Sequence, residues 1–194
     1  MVYRETYLNQ LISLRDQNLI KVITGIRRCG KSTLMSEFQS WLLSNDVDDS
    51  HILAINFEER ESCRFTIWQD VYDYIIAQLP YDGMRYVFLD EIQTLPNFEK
   101  LVDALYVKKN IDLYITGSNA YLLSSELGTL LTGRYIAINL HPFSFSEYIT
   151  AYGDEVNADR LFRQYMNSSC FPEAVNLSIS SPDMVNKYLD ALYE

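Results

Sequence analysis

The chain has 194 residues, 48% hydrophobic and 22% charged, which is ordinary for a folded protein with a substantial core. Its net charge of −10 argues against nucleic-acid binding, which usually needs a basic face. No run of about 18 apolar residues and no signal-peptide core is present, so we expect a cytoplasmic location away from membranes.

The first predicted strand, residues 20–24, leads directly into a glycine-rich loop of the form Gly-x4-Gly-Lys-Ser. This pattern is typical of the phosphate-binding loop of P-loop NTPases. The residues expected to bind the nucleotide are Gly25, Arg27, Arg28, Cys29, Gly30, Lys31, Ser32 and Thr33.

The chemistry of the loop follows from its residue types. Gly25 and Gly30 allow a tight turn whose amide groups form an anion cradle, reinforced by the helix that starts near Lys31. Lys31 would reach the β- and γ-phosphates of ATP, and the Ser32 hydroxyl would be a ligand of Mg²⁺. The two loop arginines either touch phosphate or face solvent. Cys29, in an amide-rich loop at a helix start, is expected to have a thiol of lowered pKa.

Strand-like and helical segments then alternate, which predicts an α/β fold with a mostly parallel sheet. Further strands are predicted at 51–57, 86–89, 113–116 and 135–140, with amphipathic helices between them, one of them capped by Asn97. After residue 142 the pattern is wholly helical, near 144–152, near 157–166 and after a Ser181 cap. We therefore predict a P-loop ATPase core at 1–142 and a helical segment at 143–194, the start of a truncated region.

Two carboxylates follow the strand at 86–89. Asp90 and Glu91 come about 60 residues after the loop, as in the Walker B arrangement of P-loop enzymes. Asp90 would enter the Mg²⁺ shell, and Glu91 would polarise the water that attacks the γ-phosphate. Acidic residues at a strand end are common in α/β proteins, but their position after a P-loop favours the catalytic interpretation.

Two further elements complete the predicted catalytic set. The strand at 113–116 leads to Ser118 and Asn119, either of which could sense the γ-phosphate or simply cap the next helix. Arg134, just before the last strand, is a candidate arginine finger acting in its own site or a neighbour's, with a solvated surface residue as the alternative.

A family resemblance rests on the segments 25–32, 88–93, 116–119, 126–135 and 141–148. Together they resemble the AAA-type predicted ATPases of bacteria and archaea, in which an ATPase module precedes a C-terminal domain of unknown function (DUF4143). The resemblance covers the chain from about Tyr3 onward.

The resemblance implies an ASCE-type P-loop core, a three-layer sandwich with strand order 5-1-4-3-2. It makes Asp90 the Walker B aspartate, Glu91 the catalytic glutamate and Ser118-Asn119 sensor-like, and it favours Arg134 as a finger. One departure is Ser169-Cys170, where the family usually has a glycine pair, so the local turn is expected to differ.

The leading functional hypothesis is a Mg²⁺-dependent ATPase that remodels an unknown macromolecular partner, with a homo-oligomer as one option. The alternative is a nucleotide-dependent switch that turns over slowly and signals through a further domain. A small-molecule kinase is disfavoured, because no arginine cluster follows the P-loop helix and a kinase has no use for a water-activating Glu91.

Overall fold

The computed structural model describes residues 2–117, 131–153 and 157–193. The predicted sensors Ser118 and Asn119 therefore lie outside the described residues. The chain divides into two compact units. Unit 1 takes described residues from the ranges 2–5, 26–30 and 140–193, and unit 2 takes them from 6–25 and 31–139.

Strands and helices alternate through most of unit 2, as predicted. The strands are β1 (Ile20–Gly25), β2 (Ile52–Asn56), β3 (Arg85–Asp90), β4 (Ile111–Gly117) and β5 (Tyr135–Leu140). The α-helices of the described residues are α1 (Glu5–Leu14), α2 (Lys31–Leu43), α3 (Trp68–Gln78), α4 (Phe98–Tyr106), α5 (Phe145–Tyr152), α6 (Ala158–Asn167), α7 (Pro172–Ser180) and α8 (Val185–Tyr193).

The five strands form one parallel sheet in the order β2-β3-β4-β1-β5. Read from the other edge, this is the order 5-1-4-3-2, so the prediction from the family resemblance is confirmed. In the register, Ile115 of β4 lies opposite Val22 of β1 and Leu89 of β3. The carboxyl ends of these three strands therefore lie side by side, at the edge where α/β folds generally bind ligands.

The central strands are wholly buried because helices cover the sheet. Every residue of β1, β3 and β4 is buried, which explains their nearly continuous apolar runs. Helix α2 buries Leu34, Phe38 and Leu42, spaced to share one face, as its sequence pattern predicted. Helix α4 likewise turns Leu101 and Leu105 into the core.

The sequence missed two helices, α1 and α7. Helix α1 buries only Leu11, so its pattern of core positions is weak. Helix α7 starts at Pro172, the position where proline best fits a helix.

Asn97 and Ser181 occupy N-cap positions, as predicted, but neither side chain makes a capping hydrogen bond. Asn97 has a left-handed backbone with φ of 56°. Ser181 precedes a short 3-10 helix, Pro182–Met184, rather than α8 itself.

Unit 1 has its own small core. Phe143, Tyr148, Leu161 and Val175 are buried together. Helix α5 begins with a capping box, in which the side chains of Ser144 and Glu147 each bind the backbone of the other. Within the described residues, no helix is long and apolar enough to cross a membrane.

Candidate active site

Three strand ends of unit 2 bring the predicted catalytic groups to one edge of the sheet. β1 ends at Gly25, before the loop that leads to Lys31. β3 ends at Asp90, and in the register Thr116 of β4 lies opposite Ile23 of β1. The parallel pairing therefore aligns residues that lie far apart in the sequence.

Lys31 and Glu91 contact each other directly. The Lys31 Nζ lies 3.2 Å from Glu91 Oε1 and donates to the Gly25 carbonyl at 3.4 Å. Lys31 is only 5% exposed, so its ammonium group is largely removed from water. The structure thus joins two residues that the sequence assigned to different motifs.

The backbone of Glu91 has an unusual left-handed conformation, with φ of 51° and ψ of 46°. Such a conformation costs a β-carbon-bearing residue about 1–2 kcal/mol. Two hydrogen bonds hold it: the Glu91 N–H donates to Thr116 Oγ1 at 3.0 Å, and Gln93 Nε2 donates to Glu91 Oε2 at 2.6 Å. The carboxylate is therefore fixed beside Lys31.

Thr116 links the two acidic residues. Its hydroxyl donates to Asp90 Oδ1 while accepting the Glu91 N–H. Asp90 is 7% exposed and Thr116 is fully buried. One hydroxyl thus sets the orientation of both carboxyl-bearing residues.

Sequence reasoning missed Thr116 and Gln93. The sequence signal for Thr116 is a hydroxyl near the end of a buried strand. The prediction fell instead on Ser118 and Asn119, which follow that strand. A third contact at this edge joins the Thr24 hydroxyl, as donor, to Asn139 Oδ1 of β5.

Arg134 lies at the other end of the sheet. Its carbonyl accepts the N–H of Ile20, the first residue of β1, at 2.9 Å. At about 3.3 Å per residue, the length of β1 separates Arg134 from the Gly25 end by roughly 16 Å. Its guanidinium donates to Asp103 at 2.6 Å and lies over the Tyr106 ring. The structure does not bring Arg134 to the Lys31–Glu91 pair of the same chain.

The loop residues 26–30 belong to unit 1. Arg27 and Arg28 are exposed, and the Arg28 guanidinium lies over the Tyr188 ring at 5.2 Å. Cys29 is fully buried. Burial shields the Cys29 thiol from reagents in this conformation, and its lowered pKa stays a prediction of the sequence.

The first two residues after Lys31 in α2, Ser32 and Thr33, are exposed. Among the described residues, no group of three or more His, Cys, Asp or Glu side chains could hold a metal ion. Mg²⁺ commonly binds through one or two carboxylates together with substrate phosphates. The Asp90 carboxylate and the Ser32 hydroxyl fit that donor set.

A sequence model of a protein family described as "AAA domain" matches residues 17–149. The chain belongs to this AAA family. The match spans the five strands and the whole of the Lys31, Asp90, Glu91 and Thr116 arrangement.

Two curated relatives are similar along most of this AAA chain. An uncharacterized protein of Haemophilus influenzae is 41% identical over 179 residues, covering 90% of this chain and 45% of the relative. The uncharacterized protein MJ1544 of Methanocaldococcus jannaschii is 28% identical over 188 residues, covering 91% of this chain and 41% of the relative. The chain thus spans less than half the length of these relatives.

Solved structures share the AAA fold at low sequence identity. The Walker-type ATPase PABY2304 of Pyrococcus abyssi superposes with a TM-score of 0.59 at 16% identity, covering 90% of this chain and 65% of that one. Cdc6p of Pyrobaculum aerophilum gives a TM-score of 0.51 at 16% identity, covering 82% and 53%. At these identities the likeness establishes the fold alone.

Proposed function

We propose that this chain is a Mg²⁺-dependent ATPase module that couples ATP hydrolysis to remodelling of a macromolecular partner. The observation that carries the proposal is the contact between Lys31 and Glu91, with Asp90 beside them through Thr116. A cation and a polarising carboxylate in one water-poor place are what phosphoryl transfer to water requires. Membership of the AAA family supports the same chemistry.

In this proposal, each residue has a separate task. Lys31 leaves Glu91 for the β- and γ-phosphates, and Glu91 then accepts the proton of the attacking water. Asp90 and Ser32 would hold Mg²⁺, which neutralises charge on the transferred phosphoryl group. Ser118 or Asn119 would sense the γ-phosphate, as the sequence predicts.

Glu91→Gln tests the catalytic part of the proposal. The amide cannot act as a base, so we expect turnover to fall by about 10²–10⁴-fold while Mg²⁺-ATP binding persists. Steady-state phosphate release and equilibrium nucleotide binding measure the two effects. Undiminished hydrolysis by the variant would mean that Glu91 is only a carboxylate at a strand end. A wild-type chain that neither binds nor hydrolyses Mg²⁺-ATP would refute the ATPase function itself.

In this proposal Arg134 acts on the site of a neighbouring copy, because it lies at the opposite end of the strands from its own Lys31. An arginine finger supplied in this way is worth about 10³–10⁵ in turnover. A specific ATPase rate that rises with protein concentration would support such assembly. Mixing the Arg134→Ala and Lys31→Met variants gives a sharper test. A site shared between two copies can then combine Lys31 from the first variant with Arg134 from the second, so activity returns only if sites are shared.

The second candidate is a nucleotide-dependent switch with slow turnover. The engagement of Glu91 by both Lys31 and Gln93 favours it, since a base held by two protein partners is less available to a water molecule. A slow rate that does not change with concentration, with nucleotide retained on a monomer, would select the switch. The additional DUF4143 domain and a cytoplasmic location stay predictions of the sequence.

A further inference from the structure

Arg4 precedes α1 and is almost completely buried, with 5% of its surface exposed. Its guanidinium donates to three different segments of unit 1. Nη1 donates to the Cys29 carbonyl at 3.2 Å, Nη2 to the His141 carbonyl at 2.8 Å, and Nε to Glu147 Oε1 at 2.5 Å. The planar fork of arginine suits several fixed acceptors at once, which a lysine ammonium on its flexible stem does not.

The contact with Cys29 fixes one peptide group of the phosphate loop. In a planar trans peptide the C=O and the next N–H point in opposite directions. Since the Cys29 carbonyl is directed at Arg4, the Gly30 N–H is directed away from it. Gly30 has φ of 100°, a conformation that residues with a β-carbon rarely adopt, so this peptide orientation also depends on the glycine.

We propose that Arg4 is a positioning residue for nucleotide binding, which keeps the Cys29–Gly30 peptide turned so that its amide faces phosphate. This inference rests on the proposed ATPase function and assigns a residue outside every motif of the sequence. If the peptide rotated, the negative end of its dipole would replace the N–H, and a carbonyl oxygen repels a triphosphate. Arg4 opposes that rotation by holding the oxygen.

A matched control comes from the other partner of Arg4. Glu147 Oε2 accepts from the Ser144 N–H and the Ser144 hydroxyl, both at 2.8 Å, so Glu147 also caps α5. Glutamine can replace glutamate in a capping box. Glu147→Gln therefore removes the ion pair with Arg4 without touching the contact between Arg4 and the Cys29 carbonyl.

The experiment compares Arg4→Ala with Glu147→Gln in the full chain, by equilibrium binding of Mg²⁺-ATP and by thermal unfolding. We expect Arg4→Ala to weaken the binding of Mg²⁺-ATP about tenfold or more. The Cys29 carbonyl loses its charge-assisted hydrogen bond, so the Cys29–Gly30 peptide is no longer held in the orientation that presents its N–H to phosphate. Turnover at saturating ATP should change less than the affinity. Glu147→Gln should lower the melting temperature while leaving the affinity within about twofold.

Millimolar guanidinium supplies a readout that a purely structural role would not move. In Arg4→Ala it should restore part of the lost affinity, by occupying the space that the side chain leaves. Unchanged affinity in Arg4→Ala, or equal affinity losses in both variants, would overturn the proposal. If Arg4→Ala does not fold, Arg4→Lys decides: weaker binding by a folded Arg4→Lys supports the proposal, and full affinity refutes it.

These outcomes are distinguishable from failure of the proposed function. If the wild-type chain binds Mg²⁺-ATP and Arg4→Ala binds it equally well, only the positioning role fails. If the wild-type chain does not bind Mg²⁺-ATP, the ATPase proposal fails first.

Discussion

Two lysines ten residues apart form ion pairs at the two ends of β1 in unit 2, and the pairs differ in how completely the protein satisfies them. Lys21 pairs with Asp112, and their side chains are 0% and 1% exposed. Lys31 pairs with Glu91, with side chains 4% and 16% exposed. Both are lysine–carboxylate pairs inside an α/β fold, but only one of them has protein partners at short distances on both sides.

The Lys21 pair is closed by further hydrogen bonds. Asp112 also accepts from the Asp16 N–H and the Tyr114 hydroxyl, both at 2.8 Å, and Lys21 also donates to the Gln17 carbonyl at 2.7 Å. Burial lowers the pKa of Lys21 and raises that of Asp112, which shows that removal from water is the dominant influence on both groups.

The Lys31 pair is open by comparison. Its contacts of 3.2 and 3.4 Å are long for charge-assisted hydrogen bonds, which are usually about 2.7–2.9 Å. A lysine held this loosely can exchange its partner for a phosphate at low cost. The comparison teaches that the two lysine–carboxylate pairs differ in how completely protein hydrogen bonds satisfy them, as expected if Lys21 has a structural role and Lys31 has the proposed role in nucleotide binding.

The largest expected effect comes from breaking the closed pair. Lys21→Met leaves the buried Asp112 carboxylate without its counter-ion, so we expect a loss of about 3–5 kcal/mol in the free energy of unfolding. Urea denaturation measures this loss. The double variant Lys21→Met with Asp112→Asn should recover much of it, and a single variant within 1 kcal/mol of wild type would mean that the pair is already neutral.

Breaking the open pair should act on binding instead. In the proposed function Lys31 is the main cation for the phosphates, so Lys31→Met should lower the affinity for Mg²⁺-ATP about 100-fold or more, since hydrogen bonds to charged groups are worth about 1.5–3 kcal/mol each. Stability should change by less than about 1 kcal/mol, because Glu91 is partly exposed and keeps its bond to Gln93. Equal affinity in the variant and the wild type would place the phosphates elsewhere.

The smallest effect concerns the third partner of the open pair. Gln93→Leu removes the hydrogen bond to the Glu91 carboxylate, so the base loses part of its orientation. We expect kcat to fall about tenfold, which corresponds to about 1.4 kcal/mol, while the Kd for Mg²⁺-ATP stays within about twofold. A variant that alters Kd and leaves kcat intact would assign Gln93 to nucleotide binding.

Features that depend on local order are predictable from the sequence. The loop at Lys31 and the carboxylates at Asp90 and Glu91 are each contained in a short segment with a recognisable strand beside it. The strand order was predicted from the family resemblance and not from the strand sequences, because an apolar run does not indicate which other strand it pairs with. The structure confirms that order.

The remaining contacts depend on register and topology. Thr116 meets Asp90 only because β3 and β4 pair in parallel at one register, and Asp112 meets Lys21 across 91 positions of the chain. Arg4 reaches the Cys29 carbonyl across 25 positions, from a segment with no motif of its own. A linear pattern does not indicate which side chains become partners, because it states neither the register of the strands nor the path of the chain.

Because Cys29 is buried, its thiol can serve as a probe of how often the phosphate loop opens. A shielded group reacts only in the moments when its surroundings open, so its labelling rate reports how often the loop departs from the described conformation. Mass spectrometry measures this labelling rate at Cys29 itself. Slow labelling without nucleotide, and slower labelling with it, would give the frequency of loop opening without a chromophore or a substitution.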